Sequence, residues 1–326
     1  MASTTSKQGP AAAVADNATG ARTSLVRAPS VRSRGEALIK GLLFCAAALS
    51  VLTTLGIVFS LSKETLAFFR AVPVADFLTG TKWTPLLQAD QQSFGVLPLI
   101  WNTLYLSFIG LLVAVPLGLL SAVYLAEYAP DRVRRTIKPV LETLAGVPTI
   151  VFGFFALTFF TPEVLRAVLH VEVNTFNALS AGIVLGLLVL PTIASVAEDA
   201  MAAVPRSLRE GALGLGATKL QTALRVVFPA ALSGIVAALI LGASRAIGET
   251  VIILVASGQR ANLSLDPRES MQSMAAFIAA TARGDIPVGS IEYKTIFVVG
   301  FTLFVLTLAL NAVSIRFVRR YRQVYE

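Results

Sequence analysis

The sequence predicts an all-helical membrane protein with six transmembrane helices. Of its 326 residues, 55% are hydrophobic and only 14% are charged, whereas soluble domains carry about 25% charged residues. The mean hydropathy is +0.74. The apolar residues are gathered into blocks of about 20 residues, long enough to cross a hydrocarbon core about 30 Å thick. This pattern excludes an ordinary soluble globular protein.

The apolar blocks are separated by clusters of Gly, Pro, Asp and Asn, which mark the loops. The predicted transmembrane helices cover residues 39–61, 97–126, 140–160, 177–199, 228–257 and 295–317. Residues 36–326 are therefore predicted to be one transmembrane domain. Residues 1–35 are rich in Ser, Thr, Ala and Arg and are predicted to be a disordered cytoplasmic tail. Their composition also resembles an organelle transit peptide, but a basic tail before the first helix explains it better.

The basic residues predict the orientation of the chain in the cytoplasmic membrane. If the N-terminus is cytoplasmic, eighteen of the 27 Lys and Arg residues fall on the inner side, eight fall on the outer side, and Arg245 lies within a helix. This positive-inside bias predicts that both termini are cytoplasmic. The net charge of +8 is spread beside the apolar blocks rather than gathered in a patch, so no nucleic-acid partner is expected.

The cytoplasmic loop at residues 200–228 has the most informative pattern. Residues 209–227 alternate Ala, Gly and Leu with helix-forming residues, and Pro229 opens the next helix. We expect two short helices joined at residues 214–216. Because so small an element cannot bury its apolar face alone, it should dock on a cytoplasmic partner. The alternative is an interfacial helix lying on the bilayer, which would need a stronger separation of apolar and basic faces.

This loop resembles the EAA loop of ABC importer permeases, whose pattern is E-A-A-x3-G-x9-I-x-L-P. The spacing from the glutamate through the glycine to the proline is kept, with glycine, valine and phenylalanine in place of the first alanine, the isoleucine and the leucine. The resemblance implies that an ATPase is coupled through Glu210, Gly211, Ala212, Gly216 and Pro229. We expect Gly216 to permit a close backbone approach and Glu210 to hold the turn.

Three further segments resemble the phosphate-specific ABC permeases of the PstC/PstA type. They are LAGVPTIVFGFF at 144–155, SRAIGET at 244–250 and the stretch 190–218. A long first outer loop, with FLTGTKWTP at 77–85, favours the PstC-like subunit. The resemblance implies a type I-like ABC importer permease fold and transport of inorganic phosphate. It also implies three partners: a PstA-like second permease subunit, a dimer of cytoplasmic ATPases, and an extracytoplasmic phosphate-binding protein.

Arg245 is the one cation placed inside a predicted transmembrane helix. A cation there costs about 2.5–3.5 kcal/mol on insertion scales and marks a functional site by default. Its planar guanidinium matches an oxyanion, because it donates two parallel hydrogen bonds. Glu249 follows four residues later, on the same helix face, so we expect Arg245 and Glu249 to lie in the substrate pathway. The alternative is that the two side chains only neutralise each other within the bundle.

Other carboxylates are predicted to have structural roles. Glu127 and Glu142 lie near cytoplasmic helix ends. Glu198 and Asp199 should either cap the first helix of the loop or pair with its arginines.

Catalytic function is not expected of this chain. It has no G-x-x-x-x-G-K-[ST] motif for binding ATP phosphates, so ATP hydrolysis is expected from a partner. One Cys and one His cannot form a tetrahedral zinc site, and no cofactor or metal is predicted. The alternatives are a permease for another oxyanion such as sulfate or molybdate, and a proton-coupled secondary transporter. A membrane enzyme acting on lipid would need a cluster of carboxylates or histidines.

Overall fold

The computed structural model describes residues 31–321, with side chains described from residue 35 to residue 316. The predicted disordered tail at residues 1–35 lies almost entirely outside this range, and the first helix begins at Val31. The chain divides into two units after Ile57. The N-terminal part of the first helix, up to Ile57, presents exposed apolar side chains along its length. The functional residues all belong to the second unit.

Over the described residues the regular structure is helical, apart from one isolated bridge between Trp83 and Phe94. The first helices are α1 (Val31–Phe69), α2 (Val74–Thr79), α3 (Leu97–Val123), α4 (Asp131–Ala145), α5 (Thr149–Phe155) and α6 (Ala178–Ala202). The remaining helices are α7 (Arg206–Gly214), α8 (Lys219–Thr222), α9 (Phe228–Ala230), α10 (Leu232–Ile247), α11 (Met274–Thr281) and α12 (Ile291–Tyr321). Wider π-helical turns extend α3 through Tyr124–Tyr128, α5 through Ala156–Val168 and α8 through Ala223–Val227, and a further one covers Ile253–Ser257.

The described residues contain five helices long and apolar enough to cross a membrane. These are Gly35–Phe69, Leu97–Tyr128, Thr149–Val168, Ala178–Ala202 and Ile291–Arg316. A sixth is obtained when Lys219–Ala230 and Leu232–Ile247, bent by 74° relative to each other, are taken as one span. The predicted all-helical class is confirmed, and the predicted number of six is consistent with this structure.

The third transmembrane helix begins later than the sequence predicted. The prediction was 140–160, but α4 ends at Ala145 and the apolar helix runs from Thr149 to Val168. The break follows from Pro148, because proline disfavours helical backbone in the residue before it and lacks an N–H. The amphipathic helix α4 is therefore separate from the apolar one, with basic residues along one of its faces.

The fifth predicted helix, residues 228–257, is broken after Ile247 rather than continuous, and these residues are called the broken span. Helix α10 ends at Ile247, and the chain continues through Gly248 and Glu249 before the helical turn Ile253–Ser257. Discontinuous helices are tolerated at membrane depth only where other protein groups satisfy the freed backbone. The protein groups around this break therefore have to satisfy the backbone N–H and C=O groups that it frees.

Helices α3 and α6 form the centre of the bundle, where they pack closely through small residues. A Cβ atom on Gly182 would lie 2.6 Å from Ile109 Cγ2, and one on Gly186 would lie 2.6 Å from the Gly110 carbonyl oxygen. The Gly182-x-x-x-Gly186 ridge is therefore a packing surface, as is typical of small residues spaced four apart in membrane helices. This packing holds α6 against α3, and α6 carries Thr192, Glu198 and Asp199.

Candidate functional site

Arg245 lies near the C-terminal end of α10 and connects it to two other elements. Its Nη1 donates to Thr192 Oγ1 on α6 at 2.9 Å, and its Nη2 donates to the Ala145 carbonyl oxygen at 3.2 Å. Ala145 is the last residue of α4, whose terminal carbonyls lack partners within that helix. Within the described part of the chain, Arg245 thus uses two of its five N–H donors. The partly exposed guanidinium keeps donors free for an anion.

Glu249 forms no ion pair with Arg245 in the described structure, so the alternative of a mutually neutralising pair has no contact behind it. Glu249 Oε1 instead accepts hydrogen bonds from the backbone N–H groups of Val251 at 3.0 Å and Ile252 at 3.3 Å. The prediction assumed a continuous helix, in which residues four apart share a face. Because α10 ends at Ile247, that relation is lost, and the buried Glu249 caps the segment that follows the break.

The turn between α7 and α8 is defined by Gly216. Its φ of +85° lies in the left-handed region that favours glycine. The Gly216 N–H donates to the Leu213 carbonyl at 2.9 Å, and the Ala217 N–H donates to the Ala212 carbonyl at 3.1 Å. This pair of bonds is a Schellman motif, which ends α7, and a capping box at Thr218 begins α8. The predicted pair of short helices joined near Gly216 is therefore present.

The α7–α8 turn projects an apolar surface away from the bundle. Leu215 at its tip is 91% exposed, and the nearby Leu213, Leu220 and Leu224 are also exposed. Space is open around Gly216, where a Cβ atom would meet nothing within 4 Å. Such a surface on a polar loop is typical of a docking site for another protein.

Glu210, Gly211 and Ala212 of the EAA-like motif lie in α7, Gly216 lies in the turn, and Pro229 lies in α9. Glu210, Gly211, Gly216 and Pro229 are exposed, and Ala212 is partly exposed. Among the described residues Glu210 has no ion-pair partner. The prediction that Glu210 holds the turn is therefore not supported by a side-chain contact. The Schellman motif and the capping box define the turn instead.

Glu198 and Asp199 form an ionic cluster with α4 rather than with the arginines of α7. Lys138 Nζ lies 2.8 Å from Glu198 Oε2 and also pairs with Asp199, and Arg134 pairs with Glu198. Residues 134 and 138 are four apart, so they share the face of α4 that packs on α6. Burial alone would lower the pKa of Lys138, but the hydrogen bonds that its ammonium group donates to Asp199 and Glu198 raise that pKa above its ordinary value.

A second ion pair connects α7 to α3. Arg209 Nε donates to Glu127 Oε1 at 3.0 Å. Neither this pair nor the cluster around Glu198 was predicted from sequence, because each joins residues more than 50 positions apart. The only available signal was that all of these residues lie next to predicted cytoplasmic helix ends.

At the opposite end of α6, the loop before α11 covers the beginnings of α3 and α6. Trp101 Nε1 donates to the Ser264 carbonyl at 2.9 Å, and the Asn177 side chain caps α6 at Ser180. In this loop Asp266 forms an ion pair with Arg268, whose hydrogen bonds lower the pKa of Asp266 to about 2. The described residues hold no group of three His, Cys, Asp or Glu side chains suited to a metal ion.

Because Glu198 is fully buried while its cations reach solvent, the two sides of the cluster should respond differently to mutation. The double substitution Arg134→Met with Lys138→Met leaves a buried carboxylate without a cation. We expect it to lower the free energy of unfolding by about 3–5 kcal/mol. Asp199→Asn, at a side chain that is 61% exposed, should cost less than about 1 kcal/mol. Unfolding of the purified chain in detergent by SDS titration measures both, and equal effects would contradict the assignment.

The described residues form a bundle of apolar helices with one broken span, an arginine before the break and an exposed apolar turn at one end, an architecture that fits a membrane transport protein of the permease class. Residues 114–323 match the family described as the binding-protein-dependent transport system inner membrane component. The chain belongs to this family, the permeases of ABC importers.

Similar proteins support this assignment over most of the chain. The probable ABC transporter permease protein YqgH of Bacillus subtilis is 33% identical over 296 residues, which cover 90% of this chain and 92% of YqgH. The phosphate transport system permease protein PstC of Mesorhizobium japonicum is 31% identical, covering 88% of this chain and 94% of that protein. In a solved bacterial ABC transporter that imports alginate, one chain has the same fold, with a TM-score of 0.59 and 16% identity. The match covers 90% of this chain and all of that one.

Proposed function

We propose that this chain is the PstC-like permease subunit of an ABC importer and translocates inorganic phosphate across the cytoplasmic membrane. The observation that carries the proposal is the similarity to relatives named PstC phosphate permeases along 88% of the chain. The Arg245 donors that no group in the described part of the chain accepts would supply the chemistry that a phosphate oxyanion requires.

The proposed complex contains a second, PstA-like permease subunit, two ATPase subunits and an extracytoplasmic phosphate-binding protein. The chain itself is not catalytic in this proposal, and ATP hydrolysis belongs to the ATPase. The exposed leucines beside Gly216 would sit in a cleft of the ATPase, with Glu210 facing it. Closure of the ATPase dimer would then move α7 and α8, and through them the broken span that carries Arg245 and Glu249.

Reconstitution tests the proposal directly. Proteoliposomes containing this chain and the three partners should import labelled phosphate when ATP is inside and the binding protein is outside. An excess of unlabelled phosphate should compete, and an excess of sulfate or molybdate should not. Competition by sulfate at equal concentration would favour another oxyanion. Phosphate uptake driven by a proton gradient without ATP would reject the importer class.

We also propose that both termini of this multi-pass protein are cytoplasmic, in line with the distribution of Lys and Arg. Single cysteines at Ser33 and Gln323 should resist an impermeant maleimide in intact cells and react after permeabilisation. The background is Cys45→Ala, since Cys45 is exposed. Val288→Cys, in a loop predicted to be outside and 84% exposed, is the matched control that should react in intact cells. Labelling of either terminus in intact cells would overturn this orientation.

A further inference from the structure

Few side chains of helix α7 contact the rest of the bundle. None of its residues is buried, and Ser207, Leu208 and Glu210 are exposed. The non-helical residues 203–205 connect it to α6. Arg209 and Ala212 are the partly exposed residues of α7, and the Arg209 side chain is only 18% exposed. Movement of α7 can therefore reach the bundle through this short connection, through α8 with its π-helical extension Ala223–Val227, and through Arg209.

The Arg209 guanidinium contacts two different helix ends at once. Its Nε donates to Glu127 Oε1 at 3.0 Å, in the π-helical turn that ends α3. Its Nη2 donates to the Met201 carbonyl at 2.7 Å, and its Nη1 donates to the Val204 carbonyl. The carbonyls at the end of α6 have no partners within that helix, and a cation there also interacts favourably with the helix dipole.

Glu127 is only 10% exposed, so the pair is largely shielded from water and from salt. Shielded, charge-assisted hydrogen bonds are the stronger ones, and the planar fork of arginine allows several of them in a fixed geometry. A lysine has a single side-chain nitrogen, which cannot occupy the three separate positions from which Nε, Nη1 and Nη2 of Arg209 donate. Glu210, the next residue, points away from this contact because neighbouring residues on a helix are about 100° apart.

We propose that Arg209 is the positioning residue that locks α7 to the ends of α3 and α6 and so transmits movement of the α7–α8 turn to the transmembrane helices. The inference rests on the proposed coupling role of that turn. It separates the roles of two adjacent residues, with Glu210 facing the ATPase and Arg209 facing the bundle. Movement of the turn would then reach α3 and α6 as well as the broken span that follows α8.

The first test measures whether Arg209 holds α7 at a fixed distance from the end of α3. Spin labels at Tyr128 and Ser207, both exposed, are introduced into the full complex in a Cys45→Ala background without nucleotide. Arg209→Gln and Glu127→Gln should each broaden the distance distribution between the labels. Arg206→Gln is the matched control, because Arg206 lies on the same helix, is exposed and forms no ion pair within the described residues. An unchanged distribution in Arg209→Gln would overturn the proposal.

The second test measures transmission. In proteoliposomes, Arg209→Gln should raise the number of ATP molecules hydrolysed per phosphate imported by about fivefold or more, the scale of a typical coupling between sites. Arg209→Lys should show a smaller rise, and Arg206→Gln none. The double variant Arg209→Gln with Glu127→Gln should be no worse than Arg209→Gln alone, because both remove one interaction. A purely stabilising contact would lower the yield of the complex without changing this ratio, and an unchanged ratio would overturn the transmission role.

A failure of the proposed phosphate-import function can be distinguished from a failure of the role proposed for Arg209. If the wild-type complex imports no phosphate, the substrate assignment fails, while the distance measurement still decides whether Arg209 locks α7. If the wild type imports phosphate and Arg209→Gln loosens α7 without changing the ATP ratio, the function stands and the transmission role is rejected.

Discussion

Replacing Arg245 by lysine should lower ATP-driven phosphate uptake by roughly 10- to 100-fold although the charge is kept. A charge-assisted hydrogen bond contributes about 1.5–3 kcal/mol, and each 1.36 kcal/mol corresponds to about tenfold in rate. An ammonium group cannot donate in the bidentate geometry of a guanidinium. Uptake is measured in proteoliposomes over a range of phosphate concentrations. A rise in the apparent KM for phosphate would mark the loss of a substrate contact.

Thr192→Val is the control for a purely structural role of Arg245. It removes the oxygen that accepts from Arg245 Nη1 at 2.9 Å and leaves the guanidinium in place. If Arg245 acts only by connecting α10 to α6 and α4, Thr192→Val should reduce uptake as Arg245→Lys does. If Arg245 meets phosphate, Thr192→Val should keep most of the uptake. Uptake near the wild-type rate in a well-folded Arg245→Lys variant would reject the substrate contact.

Glu249 provides an independent check on the same site. Because its carboxylate accepts backbone N–H groups after the break, Glu249→Gln keeps an acceptor oxygen and should be mild, whereas Glu249→Ala should be harmful. The double variant Arg245→Ala with Glu249→Ala should not recover uptake, since the two side chains form no ion pair in the described structure. Recovery by the double variant would instead indicate a mutually neutralising pair.

Gly216→Leu should uncouple ATP hydrolysis from phosphate import while the chain still inserts and folds. A leucine forced to a φ of +85° strains the backbone by roughly 1–2 kcal/mol and would distort the Schellman turn. It would also add bulk where the ATPase is proposed to approach. ATP hydrolysis and phosphate uptake are measured together in the reconstituted complex. We expect hydrolysis to continue and uptake to be largely lost.

Two neighbouring substitutions separate the backbone requirement from the steric one. Gly216→Asn adds a small side chain that tolerates positive φ, so it should keep coupling if only the turn geometry matters and lose it if close approach matters. Gly211→Ala should keep coupling in either case, because it restores the alanine of the E-A-A pattern, a Cβ atom there meets nothing of this chain within 4 Å, and alanine favours a helix. Normal coupling in a correctly inserted Gly216→Leu protein would reject the docking role of the turn.

The sequence determined the features that depend on local composition. Apolar blocks long enough to span a bilayer predicted the helical class and the number of spans. The helix-forming residues at 209–227, interrupted at residues 214–216, predicted two short helices at the α7–α8 turn, because glycine acts on its immediate neighbours. The positions of Gly182 and Gly186 in the sequence likewise place both residues on one face of a helix, since residues four apart share a face.

Only the tertiary structure decided which charged side chains meet. The helix break after Ile247 separates Glu249 from Arg245, and a shared helix face deduced from helical periodicity cannot anticipate such a break. The contacts of Glu198 with Lys138 and of Arg209 with Glu127 join helices that are distant in sequence. Such pairs form because burial of a charge is costly without a partner. Which partner is within reach depends on how α3, α4 and α6 pack, and a single sequence does not carry that information.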